Sequence, residues 1–358
     1  MADSECTPSC AQDGTRGRRL HWFAMNNPEN TPSIALLFPG QGSQTVGMGR
    51  ALHDTCPAAR AVFQEADEAL GFSLSEIIFN GPEETLKLTE HTQPAILTVS
   101  IAAWRVLEPE LHSRNLAVHF AAGHSLGEFS AHVAAGALTF ADAVRTVRAR
   151  GQFMQSAVPA GEGAMAAILG LSLTEIEAAC QRVTAQLQSA EARPGEIVSI
   201  ANLNSPDQTV ISGSREAVEH AAAACKELGA KRSVLLPVSA PFHCPLMMPA
   251  QLRLADWLGQ IPLSPPRFPV VCNVDAQPLT QPDAIRDALI RQVTGAVRWV
   301  ECIGLLQQNH VTHSIEVGPG KVLTGLNRQI DRSLSTSNVE DPASLEKALE
   351  RLTTPTAS

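Results

Sequence analysis

The sequence predicts an α/β fold: a large domain of alternating strands and helices with a smaller β-α-β-β-α-β unit inserted into it. Three observations carry this reading. Ile34–Phe38 is a continuous apolar run ended by Pro39-Gly40, the pattern of a buried strand. "LAVHFAA" (116–122) runs through a glycine-flanked turn, "GHSLG", into a helical pattern, the succession that parallel sheets are built from. Residues 163–237 then change rhythm and order their elements as a ferredoxin-like unit does.

In order along the chain, residues 1–32 are polar and unpatterned, with "TRGRRL" their only basic cluster, and are expected to be a disordered leader in which Met25 is an alternative start. A transit peptide is disfavoured there by Asp3, Glu5 and Asp13. The first large-domain segment spans 33–160. In it Thr139 and Asp142 are expected to cap a helix reaching about Ser156.

The inserted unit, 161–237, starts with the strand "GAMAAILGL" and the helix "TEIEAACQRVTAQLQ". "EIVSIANLN" and "QTVISG" follow as strands joined across Asn204-Ser205-Pro206. Ser214 should cap the helix "REAVEHAAAACKELG", Gly229 should stop it, and "RSVLLPV" is the last strand. The large domain resumes over 238–335 with "PRFPVVCNV", a helix at 283–293 and "THSIEVGPG". Residues 336–358 are expected to be a tail whose short helix starts at Asp341-Pro342.

The bulk numbers exclude whole classes of function. A net charge of −9 argues against nucleic acid as the main partner, because phosphate binding needs a basic surface. No apolar run approaches the roughly 20 residues of a spanning helix. The 8 cysteines include no CxxC pair, which fits neither a zinc site nor a disulfide framework and suits reduced thiols in the cytoplasm.

Gly123-His124-Ser125-Leu126-Gly127 matches G-x-S-x-G, the nucleophile elbow, and the required strand and helix flank it. The turn is strained, so small neighbours prevent clashes, and the helix behind it aims backbone N–H groups at a developing oxyanion. A non-catalytic βα turn could share the spacing, and an esterase would fit equally well. A serine nucleophile needs a base. Of 11 histidines, His243 is best placed, in the Pro-bounded loop "PVSAPFHCPLM" directly after a strand; the alternative is a packed loop histidine.

Helical spacing singles out Arg150. Val144, Val147, Gly151 and Met154 form an apolar stripe, and Arg150 falls near its centre, whereas Arg145 lies opposite and Arg148 on the edge. A charge there is costly unless paired. It either snorkels, makes a structural ion pair, or receives a carboxylate through its two-pronged fork. "FPGQGSQTVGMG" (38–49) fits no nucleotide-binding glycine motif and reads better as a loop that brings backbone donors close to a substrate.

These pieces, with "NLNSPDQTVISG", "RQV" and "EVGPGKVLTGL", resemble in order the malonyl-CoA:acyl carrier protein transacylase family over residues 33–335. The resemblance implies an α/β-hydrolase-like large domain with an inserted ferredoxin-like small domain, and an active site in the cleft between them. It also implies Ser125 as nucleophile, His243 as base, and the backbone carbonyl of Gln292, in place of an Asp, as the group orienting the histidine. The Gln41 and Leu126 amides would form the oxyanion hole, and Arg150 would hold the malonyl carboxylate. Met154 and Phe242 would line the acyl site, and Asn202 and Asn204 the pantetheine-facing edge of the small domain. Phe242 resembles members selective for malonyl.

The implied reaction moves malonyl from malonyl-CoA to the phosphopantetheine thiol of an acyl carrier protein, and it needs no metal or other cofactor. Such a carrier is usually acidic, so Lys226, Lys231 and Arg232 are candidates for a docking patch, although a merely solvated charged face is the alternative. A monomer is expected. The rival readings are a serine thioester hydrolase, an acyltransferase serving polyketide assembly, and a non-catalytic carrier-binding module. The chain departs from the family in its leader and in a long 184–196 connection.

Overall fold

The computed structural model describes residues 32–190, 195–238 and 240–353. The leader expected at 1–32 lies, apart from Pro32, outside the described residues, as do positions 191–194 of the 184–196 connection.

Among the described residues ten strands form two sheets: β1 (Ile34–Phe38), β2 (Val118–Gly123), β3 (Gly163–Leu169), β4 (Val198–Ser205), β5 (Gln208–Ser214), β6 (Arg232–Leu235), β7 (Val270–Val271), β8 (Pro278–Leu279), β9 (His313–Val317) and β10 (Ser335–Val339). The larger sheet has the order β10-β9-β1-β2-β7-β8 and is parallel except for β8. Its central strand explains the unbroken apolar run in the sequence. Ile34, Leu36 and Phe38 enter one hydrophobic cluster, while Ala35 and Leu37 enter another on the opposite face. A strand covered on both sides has no polar face to present.

The smaller sheet is antiparallel with the order β4-β5-β3-β6, which in that unit's own numbering reads 2-3-1-4. Helices Leu173–Ala190 and Arg215–Glu227 cover one face, and their apolar stripes (Ile176, Ala179, Val183; Ala217, Val218, Ala221) build a separate small core. The first of these helices continues to Ala190, so the expected connection begins as helix. The outer edge of β4 is covered by the large domain: Val297 N–H donates to Ala201 O (2.8 Å) and Leu203 N–H to Val297 O (2.9 Å). These bonds satisfy an edge that would otherwise be open and fix the small sheet against the large domain.

Two expectations need correction. Residues 336–353 are not a tail: β10 pairs in parallel with β9 along its whole length, and helix Pro342–Thr353 packs Ala348, Leu349 and Leu352 into the main core. The polar composition of "STSNV" concealed an edge strand in which only Thr336 and Val339 are buried. Ser214 stands at the N-cap position, but its hydroxyl makes no capping bond and donates instead to Glu196 and Ile197 O. Thr139 does cap its helix, accepting from Asp142 N–H at 3.1 Å and donating to its carboxylate at 2.7 Å. Among the described residues no helix is long and apolar enough to cross a membrane.

Candidate active site

Ser125 lies between the end of β2 and helix Leu126–Ala134, with φ 51° and ψ −105°. A non-glycine residue holds such a conformation only when its surroundings impose it. Both flanking glycines are dictated by space. A Cβ on Gly123 would lie 1.9 Å from the Gly127 carbonyl carbon, and one on Gly127 would lie 2.0 Å from Phe38 O. Asn273 completes the clamp: its side chain accepts from Ser125 N–H (2.7 Å) and donates to Gly123 O (2.7 Å).

Ser125 Oγ is 2.7 Å from His243 Nε2. His243 also has positive φ (59°), and its Nδ1 faces Gln292 O at 2.9 Å and Gly295 O at 3.2 Å. A backbone carbonyl only accepts, so Nδ1 carries the proton and Nε2 is left with a lone pair toward the serine. Burial, and then the nearby Arg150 charge, lower the His243 pKa to about 3, which keeps the ring neutral at rest.

Arg150 completes the group. It is 2% exposed, on the buried side of helix Phe140–Ser156, while Arg145 is exposed and Arg148 lies over the Phe72 ring. Gly151 allows this helix to approach helix Thr89–Ser113, since a Cβ there would lie 2.7 Å from Thr89 O. Its guanidinium donates to Gln93 Oε1 (2.8 Å), Gln292 Oε1 (2.9 Å) and Ser125 Oγ (3.2 Å). Burial lowers its pKa to about 10, partly offset by Glu128, so it stays charged at neutral pH. Neutral amides, not carboxylates, hold this buried cation, and its fork lies against the candidate nucleophile.

The other residues are distributed unevenly. Leu126 is the first residue of its helix, where the N–H has no intrahelical acceptor. Gln41 lies in the exposed loop after β1, and Gly40 holds that loop to the elbow, because a Cβ on it would be 2.4 Å from His124 O. Asn204 on β4 reaches the elbow through its Oδ1, 2.8 Å from His124 Nε2. Asn202 is buried beside Val297. Met154 touches Gln93 Nε2 through sulfur (3.9 Å), and Phe242 is buried just before His243.

Sequence reasoning missed Gln93, Glu128, Asn273 and the Gln292 side chain. Their only signal is a polar residue in a stretch that is otherwise buried: Gln93 in "TQPAIL", Asn273 in "VVCNV", and Glu128 in a helix whose every residue is buried.

The acyl transferase domain family matches residues 35–346. The malonyl CoA-acyl carrier protein transacylase of Escherichia coli K12 is 49% identical over 317 residues, 88% of this chain and 99% of that protein. The chain belongs to the malonyl CoA-acyl carrier protein transacylase family. The transacylase of Bacillus subtilis 168 is likewise 49% identical, over 319 residues, covering 89% of this chain and 97% of that one. The solved transacylase of Coxiella burnetii superposes with a TM-score of 0.85 at 43% identity, over 91% of this chain and 99% of that one. A malonyl-transacylase solved with a holo type II PKS acyl-carrier protein gives 0.83 at 46% identity, over 89% and 99%. For a transacylase of this family, the two-sheet architecture expected from the sequence is the family fold.

Proposed function

We propose that this transacylase carries malonyl from malonyl-CoA to the phosphopantetheine thiol of an acyl carrier protein, for fatty acid synthesis, through a malonyl ester on Ser125. The observation that supports this most directly is the position of Ser125 Oγ, 2.7 Å from the His243 base and 3.2 Å from the Arg150 guanidinium. A simple esterase needs the first contact only; a buried cation against the nucleophile suits an acyl group that ends in a carboxylate.

In the forward half-reaction His243 Nε2 takes the Ser125 proton as Oγ attacks the thioester carbonyl. The Gln292 carbonyl, accepting from Nδ1–H, steadies the imidazolium that forms. The Gln41 and Leu126 amides receive the negative oxygen of the tetrahedral intermediate. The intermediate collapses, CoA thiolate leaves with the proton from His243, and malonyl remains on Ser125. In the second half His243 deprotonates the carrier thiol, sulfur attacks the ester carbonyl, and Ser125 recovers its proton. One thioester is exchanged for another, so the equilibrium is close to balance and the sequence needs no metal or cofactor. Arg150 holds the malonyl carboxylate through both halves, with Met154 and Phe242 packing along the chain of the acyl group.

For the carrier, Lys226, Lys231 and Arg232 are all exposed at the small domain, although Lys231 pairs with Asp207 at 3.6 Å. The cytoplasm suits the unpaired thiols Cys180, Cys225, Cys244, Cys272 and Cys302, which are all buried. Intact mass after mixing with malonyl-CoA tests the reading: a malonyl adduct mapping to Ser125 is expected, and free malonate released without any adduct or carrier product would reject it.

A further inference from the structure

Glu128 closes the motif "GHSLGE" in the first turn of the helix behind the nucleophile and takes no part in the steps above. It is fully buried, and its Oε2 accepts from Asn273 N–H (2.9 Å) and Gln292 Nε2 (2.7 Å). Gln292 therefore joins three parts of the site. Its backbone oxygen faces His243, its Oε1 accepts from Arg150, and its Nε2 donates toward Glu128, Ser125 O (3.0 Å) and Asn273 Oδ1 (3.3 Å). Reversing the amide would set its oxygen against three oxygens and its NH2 against the guanidinium.

We propose that Glu128 is a positioning residue for acyl-group selection: it holds the Gln292 amide with Oε1 toward Arg150, so that the guanidinium is anchored where a malonyl carboxylate arrives. The inference rests on the functional reading above. Glu128 does not touch the substrate; it acts through Gln292. Its other oxygen, Oε1, lies 4.0 Å from His132 Nε2. Burial keeps that histidine neutral, so the pair is not an ion pair. Burial also raises the Glu128 pKa to about 7, but either protonation state leaves Oε2 able to accept both bonds. What the position requires is therefore an acceptor oxygen, which glutamine also supplies.

The test compares kcat/KM for malonyl-CoA and acetyl-CoA, with a holo acyl carrier protein as acceptor, in full-length Glu128→Met, Glu128→Gln and Gln292→Met. The first and third are also combined with Arg150→Ala. Glu128→Met removes the acceptor at similar side-chain length. The malonyl-to-acetyl ratio should fall about tenfold or more, the scale of one hydrogen bond to a charged group, and Glu128→Gln should restore it. On the Arg150→Ala background Glu128→Met should leave the ratio unchanged, because the group it positions is gone. If Glu128→Met does not fold, Gln292→Met carries the test: it keeps the carbonyl on His243, loses the amide, and should show the same fall.

Equal losses for both donors in Glu128→Met, or a ratio unmoved in Gln292→Met, would overturn the inference while Arg150→Ala still responds. A ratio unaffected by Arg150→Ala would overturn the functional reading, and this inference with it.

Discussion

Ser125 and His243 meet across 2.7 Å, and each holds its backbone at a positive φ, 51° and 59°. Neither residue is glycine, so both turns are strained by tertiary packing, and the hydroxyl and the ring are presented to each other by loops that cannot relax independently.

Ser125→Ala should abolish the malonyl adduct and lower carrier transfer by at least about a thousandfold, as loss of a nucleophile does elsewhere. The fold should persist, because alanine meets the same positive φ as serine. Mass spectrometry and transfer assays on the folded variant check this; transfer at near wild-type rates would refute the assignment.

Arg150→Ala should lose malonyl transfer far more than acetyl transfer. Removing one partner of a buried charge pair typically costs roughly 2–5 kcal/mol, and only the acyl group that ends in a carboxylate uses the pair. Competition between the two donors measures the ratio, and equal losses would reject the carboxylate role.

The acidic limb of kcat/KM should lie well below pH 6.5. His243 must be unprotonated to act as a base, and its folded pKa, lowered to about 3 by burial and then by Arg150, leaves it so across the mildly acidic range. Measured with acetyl-CoA, Arg150→Ala should move that limb upward, though not back to an ordinary histidine value, since burial is the larger cause. A limb that stays in place would show that the guanidinium does not act on the ring.

Two glycine substitutions should differ in sign. Gly127→Ala drives a Cβ to 2.0 Å from Phe38 O, a backbone atom that cannot yield, and should destabilise by several kcal/mol. Gly325→Ala is exposed inside helix Val322–Ile330, meets nothing within 4 Å, and should stabilise by about 0.5–1 kcal/mol. Denaturant titration separates them.

Charge reversal at Lys226, Lys231 and Arg232 should slow carrier-dependent turnover at low salt, and added salt should erase the difference. Unchanged turnover at low salt would remove this face from the docking surface.

The sequence by itself determined what local rules govern. Period and punctuation marked β1, the elbow and both helices of the small unit. Helical spacing alone placed Arg150 on a buried face, and the motif order disclosed the family. It favoured His243 among 11 histidines by loop position alone and could not show its partner, because partnership with Ser125 joins residues 118 apart. Only the tertiary structure decided which oxygens hold the Arg150 fork, how Glu128 and Asn273 brace the elbow, and that "STSNV" is an edge strand. Those are long-range contacts of residues with no local signature: a buried amide or carboxyl takes its meaning from the atom that the fold brings opposite it.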